Sequence, residues 1–189
     1  DLSNVGACRL CIVEIEGRRN LPASCVTEVS DGMVVRTNTP AVTEARKTVL
    51  ELLLANHPVD CLTCEKLGEC VLAKYCYEYG VLKSPFDGEK HHYELETDNP
   101  FIVRDMNKCI LCGRCIRACA EITGKNIIDF SYRGFNTRVA PFGDTPLGES
   151  ECIYCGNCVA FCPVGALSEK QMLHLGRRWN LKKVKTTCT

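Results

Sequence analysis

Fourteen of the sixteen cysteines in this chain fall into tight runs, and their spacing predicts metal ligation. Several thiolates from one short loop can reach the corners of an iron–sulfur cube, whereas disulfide cysteines are scattered through loops. Iron–sulfur clusters exchange single electrons, so the chemistry that these runs predict is electron transfer. No side chain then needs to act as an acid, a base or a nucleophile.

The most specific pattern is CxxCxxCxxxC, which occurs twice. Such a duplication is typical of a two-cluster ferredoxin, in which the fourth cysteine of each run ligates the other cluster. The first predicted [4Fe–4S] cluster is ligated by Cys109, Cys112, Cys115 and Cys162, and the second by Cys152, Cys155, Cys158 and Cys119. Gly113 and Gly156 permit close approach of the backbone. The first run has Ala120 where the second has Pro163, a difference that leaves ligation intact.

A non-redox zinc scaffold is the alternative interpretation of these two runs. Zinc sites usually present two separated CxxC hooks around four ligands, and a third cysteine in register followed by a fourth does not fit them. The spacing therefore favours clusters over zinc.

A second site follows the pattern HxxxCxxCxxxxxC, with His57, Cys61, Cys64 and Cys70. Three cysteines leave one corner of a cubane open, and the histidine stands close upstream, so we predict a His-ligated [4Fe–4S] cluster. A neutral imidazole in place of a thiolate makes a cluster less negative and raises its potential. The other histidines, which lack such cysteines, are predicted to bind no metal: His91, His92 and His174.

A third site consists of the pair Cys8 and Cys11 with Cys25 farther along the chain. Plant-type [2Fe–2S] ferredoxins combine a close pair with a distant partner and one further upstream cysteine. Here the upstream cysteine is missing, so either the chain begins just after it or the site is not a cluster. The abrupt start at Asp1 favours a truncated [2Fe–2S] site.

Two cysteines lie outside these runs. Cys76 is predicted to be a small buried apolar residue on a helix. Cys188 stands one residue from the end, so its partners, if it has any, lie outside this sequence.

Short elements are predicted to position the sites. Alternating residues indicate a small sheet from the strands CIVEIEG and MVVRT. Thr39 and Pro40 mark a helix start, and this helix runs to about Asn56 with an apolar stripe of Ala41, Ala45, Val49, Leu52 and Leu53. A second helix is predicted over residues 67–79, a connection over 83–100, a β-hairpin between the two ferredoxin runs, and a tail that starts helical at Ser168.

Composition excludes some functions. Lys plus Arg and Asp plus Glu number 23 each, and this zero net charge argues against nucleic-acid binding. The sequence has no apolar run of the ~20 residues that cross a bilayer, and it opens with no signal peptide, so we expect a soluble, cytoplasmic protein. Because Asp1 is not an initiator Met, the chain is expected to be a fragment.

Together, GACRLC with LPASC, HPVDCLTC with its later cysteine, and the two CxxCxxCxxxC runs resemble an N-terminal region shared by three groups. These groups are the large iron–sulfur subunit of complex I, cytosolic [FeFe]-hydrogenases and formate dehydrogenases linked to NAD or ferredoxin. The resemblance implies an α+β multi-domain iron–sulfur protein. Its parts are a partial β-grasp [2Fe–2S] domain over 1–38, a small helical His-ligated [4Fe–4S] domain over 39–98, a two-cluster ferredoxin-like domain over 99–170 and, over 171–189, a linker into an absent catalytic domain.

The ending VKTTCT resembles the start of the CxxCGxxC segment that opens the molybdopterin domain of formate dehydrogenases. The resemblance implies that Cys188 is the first ligand of a further [4Fe–4S] cluster. This likeness favours the electron-transfer part of a molybdenum or tungsten formate dehydrogenase, which interconverts formate and CO2. It implies a Mo/W-bis-pterin guanine dinucleotide in the full chain. The implied partners are flavin- and NAD(P)-binding iron–sulfur subunits or ferredoxin, in a hetero-oligomeric complex. The alternative is the electron-transfer module of an NADH- or ferredoxin-linked [FeFe]-hydrogenase or of a complex I-type subunit.

Three cations stand next to predicted ligands. Lys108, Arg114 and Arg117 could offset cluster charge, although a solvated surface is the commoner place for such side chains.

Overall fold

The computed structural model describes residues 1–182 and 184–185. Within these residues the strands pair into three separate two-stranded antiparallel sheets, and four short or medium α-helices accompany them. The first sheet joins β1 (Glu14–Ile15) to β2 (Val35–Arg36), which confirms the predicted small N-terminal sheet. A bridge between Ile12 and Ala23, both buried, folds the intervening loop back onto it.

Helix α1 (Pro40–Asn56) begins and ends as predicted. The Thr39 hydroxyl accepts a hydrogen bond from the Val42 amide at 3.3 Å, and Pro40 occupies the first turn, where its missing N–H costs nothing. The predicted apolar stripe is wrong in part, because the fully buried face of α1 is carried by Val42, Leu50 and Leu54, whereas Leu52 is 56% exposed.

Helix α2 (Val71–Tyr79) starts four residues later than predicted. The Cys70 sulfur accepts a hydrogen bond from the Ala73 amide at 3.4 Å and so caps the helix, while residues 67–69 form turns. Gly80, with a φ of 69°, ends the helix in the left-handed conformation that favours glycine.

The remaining elements surround the two CxxCxxCxxxC runs. Strand β3 (Ile102–Arg104) pairs with β6 (Leu167–Glu169), and β4 (Ile128–Ser131) pairs with β5 (Arg138–Pro141) to form the predicted hairpin. Helices α3 (Arg114–Arg117) and α4 (Asn157–Phe161) contain the third cysteine of each run, Cys115 and Cys158, and a π-helical segment (Ala118–Ile122) extends α3. Because β6 includes Ser168, the tail starts as a strand and turns helical only at Lys170–His174.

One hydrophobic core connects these parts. It runs from Leu50 on α1 and Leu72 on α2 to Ile102 on β3 and Val164 beside β6. The predicted His-ligated site and the two CxxCxxCxxxC runs therefore share one apolar core. Within residues 1–182 and 184–185, no helix has both the length and the apolar character needed to span a bilayer.

Candidate iron–sulfur centres

The two CxxCxxCxxxC runs meet around one cavity between the β3–β6 pair and the β4–β5 hairpin. All eight of their cysteines line it: Cys109, Cys112, Cys115, Cys119, Cys152, Cys155, Cys158 and Cys162. The rest of the wall is mostly apolar, with Ile102, Val139 and Val164 among its residues. Such a wall keeps water away from a bound redox group.

The electrostatic neighbours of these thiols divide them into the two predicted sets. Burial, helped by the thiols of Cys112 and Cys162, raises the pKa of Cys109 to about 11. Cys162 therefore lies with the first run although it belongs to the second.

The thiols of the second predicted set also lie close to one another. Burial, helped by the thiols of Cys152 and Cys155, raises the pKa of Cys158 to about 12, and Cys119 of the first run also contributes. The structure thus brings together the fourth cysteine of each run and the first three of the other. Ligation of two cubanes by these sets stays a prediction.

The loops that carry the first three cysteines of each run have the same backbone shape. Leu111 and Tyr154, each just before a second cysteine, have φ values of 52° and 57°, and Gly113 and Gly156 follow with 66° and 74°. Left-handed turns of this kind direct backbone amides into a concave anion site. The Leu111 amide does so, since it donates to the Cys109 sulfur at 3.4 Å. Gly113 and Gly156 were predicted to permit close approach of the backbone, whereas Leu111 and Tyr154 carry no sequence signal for a left-handed conformation.

Several groups outside the predicted ligand sets touch the cysteine sulfurs. The Ile127 amide donates to Cys119 Sγ at 3.3 Å. The Thr123 hydroxyl lies 3.4 Å from Cys155 Sγ, and it accepts a hydrogen bond from Asn157 Nδ2 at 3.0 Å. Ile127 and Thr123 stand outside the cysteine runs, so only the fold reveals them.

The HxxxCxxCxxxxxC pattern surrounds a cavity of about 250 Å³. His57, Cys61, Cys64 and Cys70 all line it, so the structure brings the four predicted ligands together. This donor set, three thiols and one imidazole around a space of that size, fits a His-ligated cubane.

His57 has the properties of a neutral ligand. Burial lowers its pKa, although the carboxylate of Asp60 and a hydrogen bond to the Lys108 backbone act in the opposite direction. Its Nδ1 atom is buried and has no hydrogen-bond partner among the described residues. A buried nitrogen without a partner is costly, and a metal ion would compensate for that cost.

A glycine at position 165 leaves space for the Cys64 thiol at this site. A Cβ atom at Gly165 would lie 2.6 Å from Cys64 Sγ, so the backbone after the second ferredoxin run passes directly over the thiol. In residues 1–182 and 184–185, no group of three or more His, Cys, Asp or Glu side chains is arranged to hold a single metal ion. A cubane takes its ligands at four separate corners and does not need them to converge on one point.

The three cysteines of the predicted [2Fe–2S] site also meet. Burial raises the pKa of Cys25, and the nearby thiols of Cys11 and Cys8 contribute in the same direction. Burial also acts to raise the pKa of Cys11, but hydrogen bonds from the Cys25 backbone and side chain outweigh this effect and lower that pKa. Arg9, between the paired cysteines, has a φ of 56°, which resembles the ferredoxin loops.

This site faces the ferredoxin cavity across a third cavity. Cys8 and Cys11 line one side of a cavity of about 440 Å³, and Cys112 lines the other. Arg46 of α1 spans its edge, since its guanidinium donates to the Ile12 carbonyl at 2.8 Å and to the Tyr79 hydroxyl at 2.9 Å.

The three cations that stand next to predicted ligands each contact specific groups. The Lys108 ammonium lies 3.0 Å from the Asp105 carboxylate and 3.6 Å from that of Asp60. Burial acts to lower the pKa of Lys108, but its hydrogen bond to the Asp105 carboxylate outweighs burial and raises that pKa. Arg114 lies over the Phe161 ring, with 6.0 Å from Cζ to the centroid, and Arg117 donates to the Cys112 carbonyl at 3.4 Å.

The remaining cysteines and histidines line none of these cavities or lie outside the described residues. Cys76 is buried on α2, as predicted. His91 stacks against Phe135 with ring centroids 4.0 Å apart, in a surface groove that His92 also lines. The side chain of His174 and the whole of Cys188 lie outside the described residues.

Three family profiles match successive parts of the chain. Residues 1–40 match a 2Fe-2S iron–sulfur cluster binding domain. Residues 46–85 match the NADH-ubiquinone oxidoreductase-G iron–sulfur binding region, and residues 99–168 match the ferredoxin-like domain of NADH-quinone oxidoreductase subunit 3. The chain belongs to the iron–sulfur region of the family of G-type subunits of NADH-quinone oxidoreductase. It is a multi-domain protein with [2Fe–2S] and [4Fe–4S] cluster-binding domains.

Curated relatives have oxidoreductase names. The chain is 46% identical over 172 residues to the NADP-reducing hydrogenase subunit HndD of Solidesulfovibrio fructosivorans, covering 90% of this chain and 29% of the relative. It is 42% identical over 190 residues to a G-type subunit of the NADH-quinone oxidoreductase of Rhizobium meliloti strain 1021, covering 99% of this chain and 22% of that relative. The chain thus spans less than a third of these relatives.

A solved structure has the same fold. A chain in the crystal structure of an NAD+-reducing [NiFe]-hydrogenase in the H2-reduced state superimposes with a TM-score of 0.82 and 35% identity, covering 89% of this chain and 71% of that one. This family membership makes the chain an electron-transfer module of oxidoreductases. The relatives favour the hydrogenase or complex I alternative over the formate dehydrogenase interpretation.

Proposed function

We propose that this chain conducts single electrons through four iron–sulfur clusters inside an NADH- or NADPH-linked oxidoreductase complex of the hydrogenase or complex I type. One observation carries the proposal. Fourteen cysteines and His57 lie in three adjacent sites: eight cysteines line one cavity, His57 and three cysteines line another, and the remaining three cysteines, one fewer than a [2Fe–2S] cluster takes, lie together in the third site. The names of the relatives, which include NADP-reducing and NAD+-reducing hydrogenases, support the choice of complex.

The arrangement of the sites supports a branched route. The [2Fe–2S] cysteines share a cavity with Cys112, which belongs to the first ferredoxin set. On another side, Cys64 of the His-ligated site lies against Gly165, three residues after that set's Cys162. In the proposed route, the site of Cys109, Cys112, Cys115 and Cys162 is therefore the junction, and the site of Cys152, Cys155, Cys158 and Cys119 lies beyond it.

Bound clusters would supply one-electron carriers at fixed positions. The residues of this chain hold them as thiolate and imidazole ligands, and they exclude water with apolar walls such as Ile102 and Val164. Amides from Leu111, Ile127 and Ala73 donate to ligand sulfurs and so stabilise their negative charge. These contacts tune the potential and the order of electron transfer.

The proposed partners follow from the chemistry at the two ends of the route. A two-electron donor such as NADH or NADPH needs a flavin to pass electrons one at a time, so we propose flavin- and NAD(P)-binding iron–sulfur subunits as partners, with ferredoxin as the alternative. The relatives are themselves named as subunits, which supports a hetero-oligomer.

The test is a count of clusters in the complete protein, prepared without air. Four clusters of the proposed types require about 14 iron atoms per chain from this region, with one [2Fe–2S] and three [4Fe–4S] signals in electron paramagnetic resonance. His57→Cys should keep the third cubane but lower its potential, because a thiolate adds negative charge, while His57→Ala should weaken it. Stoichiometric zinc without visible absorption from clusters would refute the proposal.

A formate dehydrogenase is the second candidate, and the segment VKTTCT favours it. If Cys188 opens a CxxCGxxC segment, residues beyond Thr189 supply the other cysteines. Formate-dependent dye reduction by the complete protein, with molybdenum or tungsten present, would support this candidate. Absence of the segment, together with hydrogen-dependent reduction of NAD(P), would exclude it.

A further inference from the structure

The segment that follows strand β6 returns to the loop of the His-ligated site. After Lys170–His174 the chain turns at Gly176, which has a φ of 87°, and enters a short 3-10 helix, Arg178–Asn180. Arg177 lies 113 positions from Cys64 in the sequence, and no sequence pattern connects the two.

Arg177 holds the loop at two points. Its Nη1 atom donates to the Cys64 carbonyl at 2.9 Å, and its Nη2 atom donates to the Leu62 carbonyl at 2.5 Å. Both acceptors belong to the CLTC turn that carries two predicted ligands. A planar guanidinium with two parallel donors fixes the orientation of the groups that it binds, which an ammonium cannot do.

Trp179 makes a second contact with the same loop. A Cβ atom at Gly68 would lie 2.9 Å from Trp179 Cε3, so the indole lies directly on the glycine backbone. Gly68 has a φ of 86°, a conformation that L residues rarely adopt. The segment therefore contacts the loop on both sides of Cys64, before it at Leu62 and after it at Gly68.

We propose that Arg177 is a positioning residue for the site of His57, Cys61, Cys64 and Cys70, and that its charge raises the reduction potential of the cluster there. The inference rests on the proposed function. A cluster gains negative charge when it is reduced, so a fixed cation nearby stabilises the reduced state. The two hydrogen bonds also hold the CLTC turn in the shape that presents both thiols to one cubane.

The experiment compares Arg177→Gln and Arg177→Lys with the unchanged complete protein. Redox titration followed by electron paramagnetic resonance gives the potential of each centre, and a chelator assay gives the rate of iron loss. Arg177→Gln should lower the potential of the His-ligated centre alone and accelerate its iron loss several-fold. Arg177→Lys should accelerate iron loss with a smaller change in potential, because it keeps the charge and loses the planar fork.

Lys182→Gln is the matched control, since it removes an exposed cation from the same segment. Equal potential shifts in Lys182→Gln and Arg177→Gln would overturn the proposal, and so would unchanged potential and iron loss in Arg177→Gln. If both Arg177 variants lose every centre, the role is general folding and the proposal fails. Absence of the His-ligated signal in the unchanged protein would instead refute the proposed function.

Discussion

The Val71 amide donates a 2.9 Å hydrogen bond to the Pro163 carbonyl, and this bond joins two predicted centres through the backbone. Val71 directly follows Cys70 of the His-ligated site, and Pro163 directly follows Cys162 of the ferredoxin cavity. A displacement of either ligand therefore acts on the other through this hydrogen bond and a few covalent bonds on each side of it. The separation between the two sites is set by this contact and by the shared core around Leu72 and Val164.

Gly165→Ala should damage the His-ligated centre selectively. The new Cβ would lie 2.6 Å from Cys64 Sγ and 3.4 Å from Lys108 Cδ, so the thiol must move away from its cavity. We expect the electron paramagnetic resonance signal of that centre to be lost or strongly reduced, while the [2Fe–2S] signal remains.

Gly88→Ala is the control for that substitution. A Cβ at Gly88 would meet no described atom within 4 Å, so cluster content should equal that of the unchanged protein. A Gly165→Ala protein with four intact signals would show that Cys64 does not ligate a cluster in this position.

Cys76→Ala should retain all clusters, in contrast to Cys70→Ala. Cys76 is 8% exposed and packs in the core of α2, whereas Cys70 lines the His-ligated cavity. Iron and sulfide analysis should give an unchanged content for Cys76→Ala, with a loss of stability of about 1 kcal/mol from the smaller side chain. Cys70→Ala should lose about four iron atoms per chain. Equal losses in both variants would contradict the assignment.

The alkylation of Cys76 should depend on pH in a distinctive way. Burial, helped by the thiols of Cys70 and Cys61, raises the pKa of Cys76 to about 11. Because the thiolate is the reactive form, only about one Cys76 side chain in a thousand is reactive near pH 8. The raised pKa means that the rate, followed by mass spectrometry on the folded protein, should keep rising from about pH 8 to pH 10. In the urea-unfolded chain, where a cysteine has a pKa of about 8.5, the rate should level off by about pH 9.5. The same levelling off in the folded protein would refute the prediction.

Sequence patterns were most informative where a motif acts locally. Thr39 and Pro40 mark the start of α1 because a side-chain cap and a proline act within one turn. The cysteine runs likewise predict their own cavities, since short gaps force neighbouring thiols into one loop. The pairing of Cys162 with the first run followed from the duplication, and the thiol electrostatics are arranged in that way.

Long-range contacts could not be predicted from the sequence. Arg177 and Thr123 are ordinary polar residues in their own segments, and only the fold brings them to Cys64 and Cys155. The left-handed turn at Tyr154 was equally hidden, because the local sequence opposes it and the loop geometry imposes it. Such groups are positioned by tertiary packing, which no short window of sequence contains.

Helix α1 carries one leucine on its buried face and another on its exposed face. Leu50 is completely buried and packs in the core that connects α1 with the ferredoxin part, whereas Leu52, two positions away on the same helix, is 56% exposed. Leu50→Ala should lower the free energy of unfolding by about 2–5 kcal/mol, since it leaves a cavity in a packed interior. Leu52→Ala should change it by less than about 0.5 kcal/mol, because both residues have high helix propensity and little packing is lost. Urea unfolding of the cluster-loaded protein without air measures both values. Comparable losses in the two variants would mean that the helix also buries the face containing Leu52, which would contradict the packing of α1 against the core through Leu50.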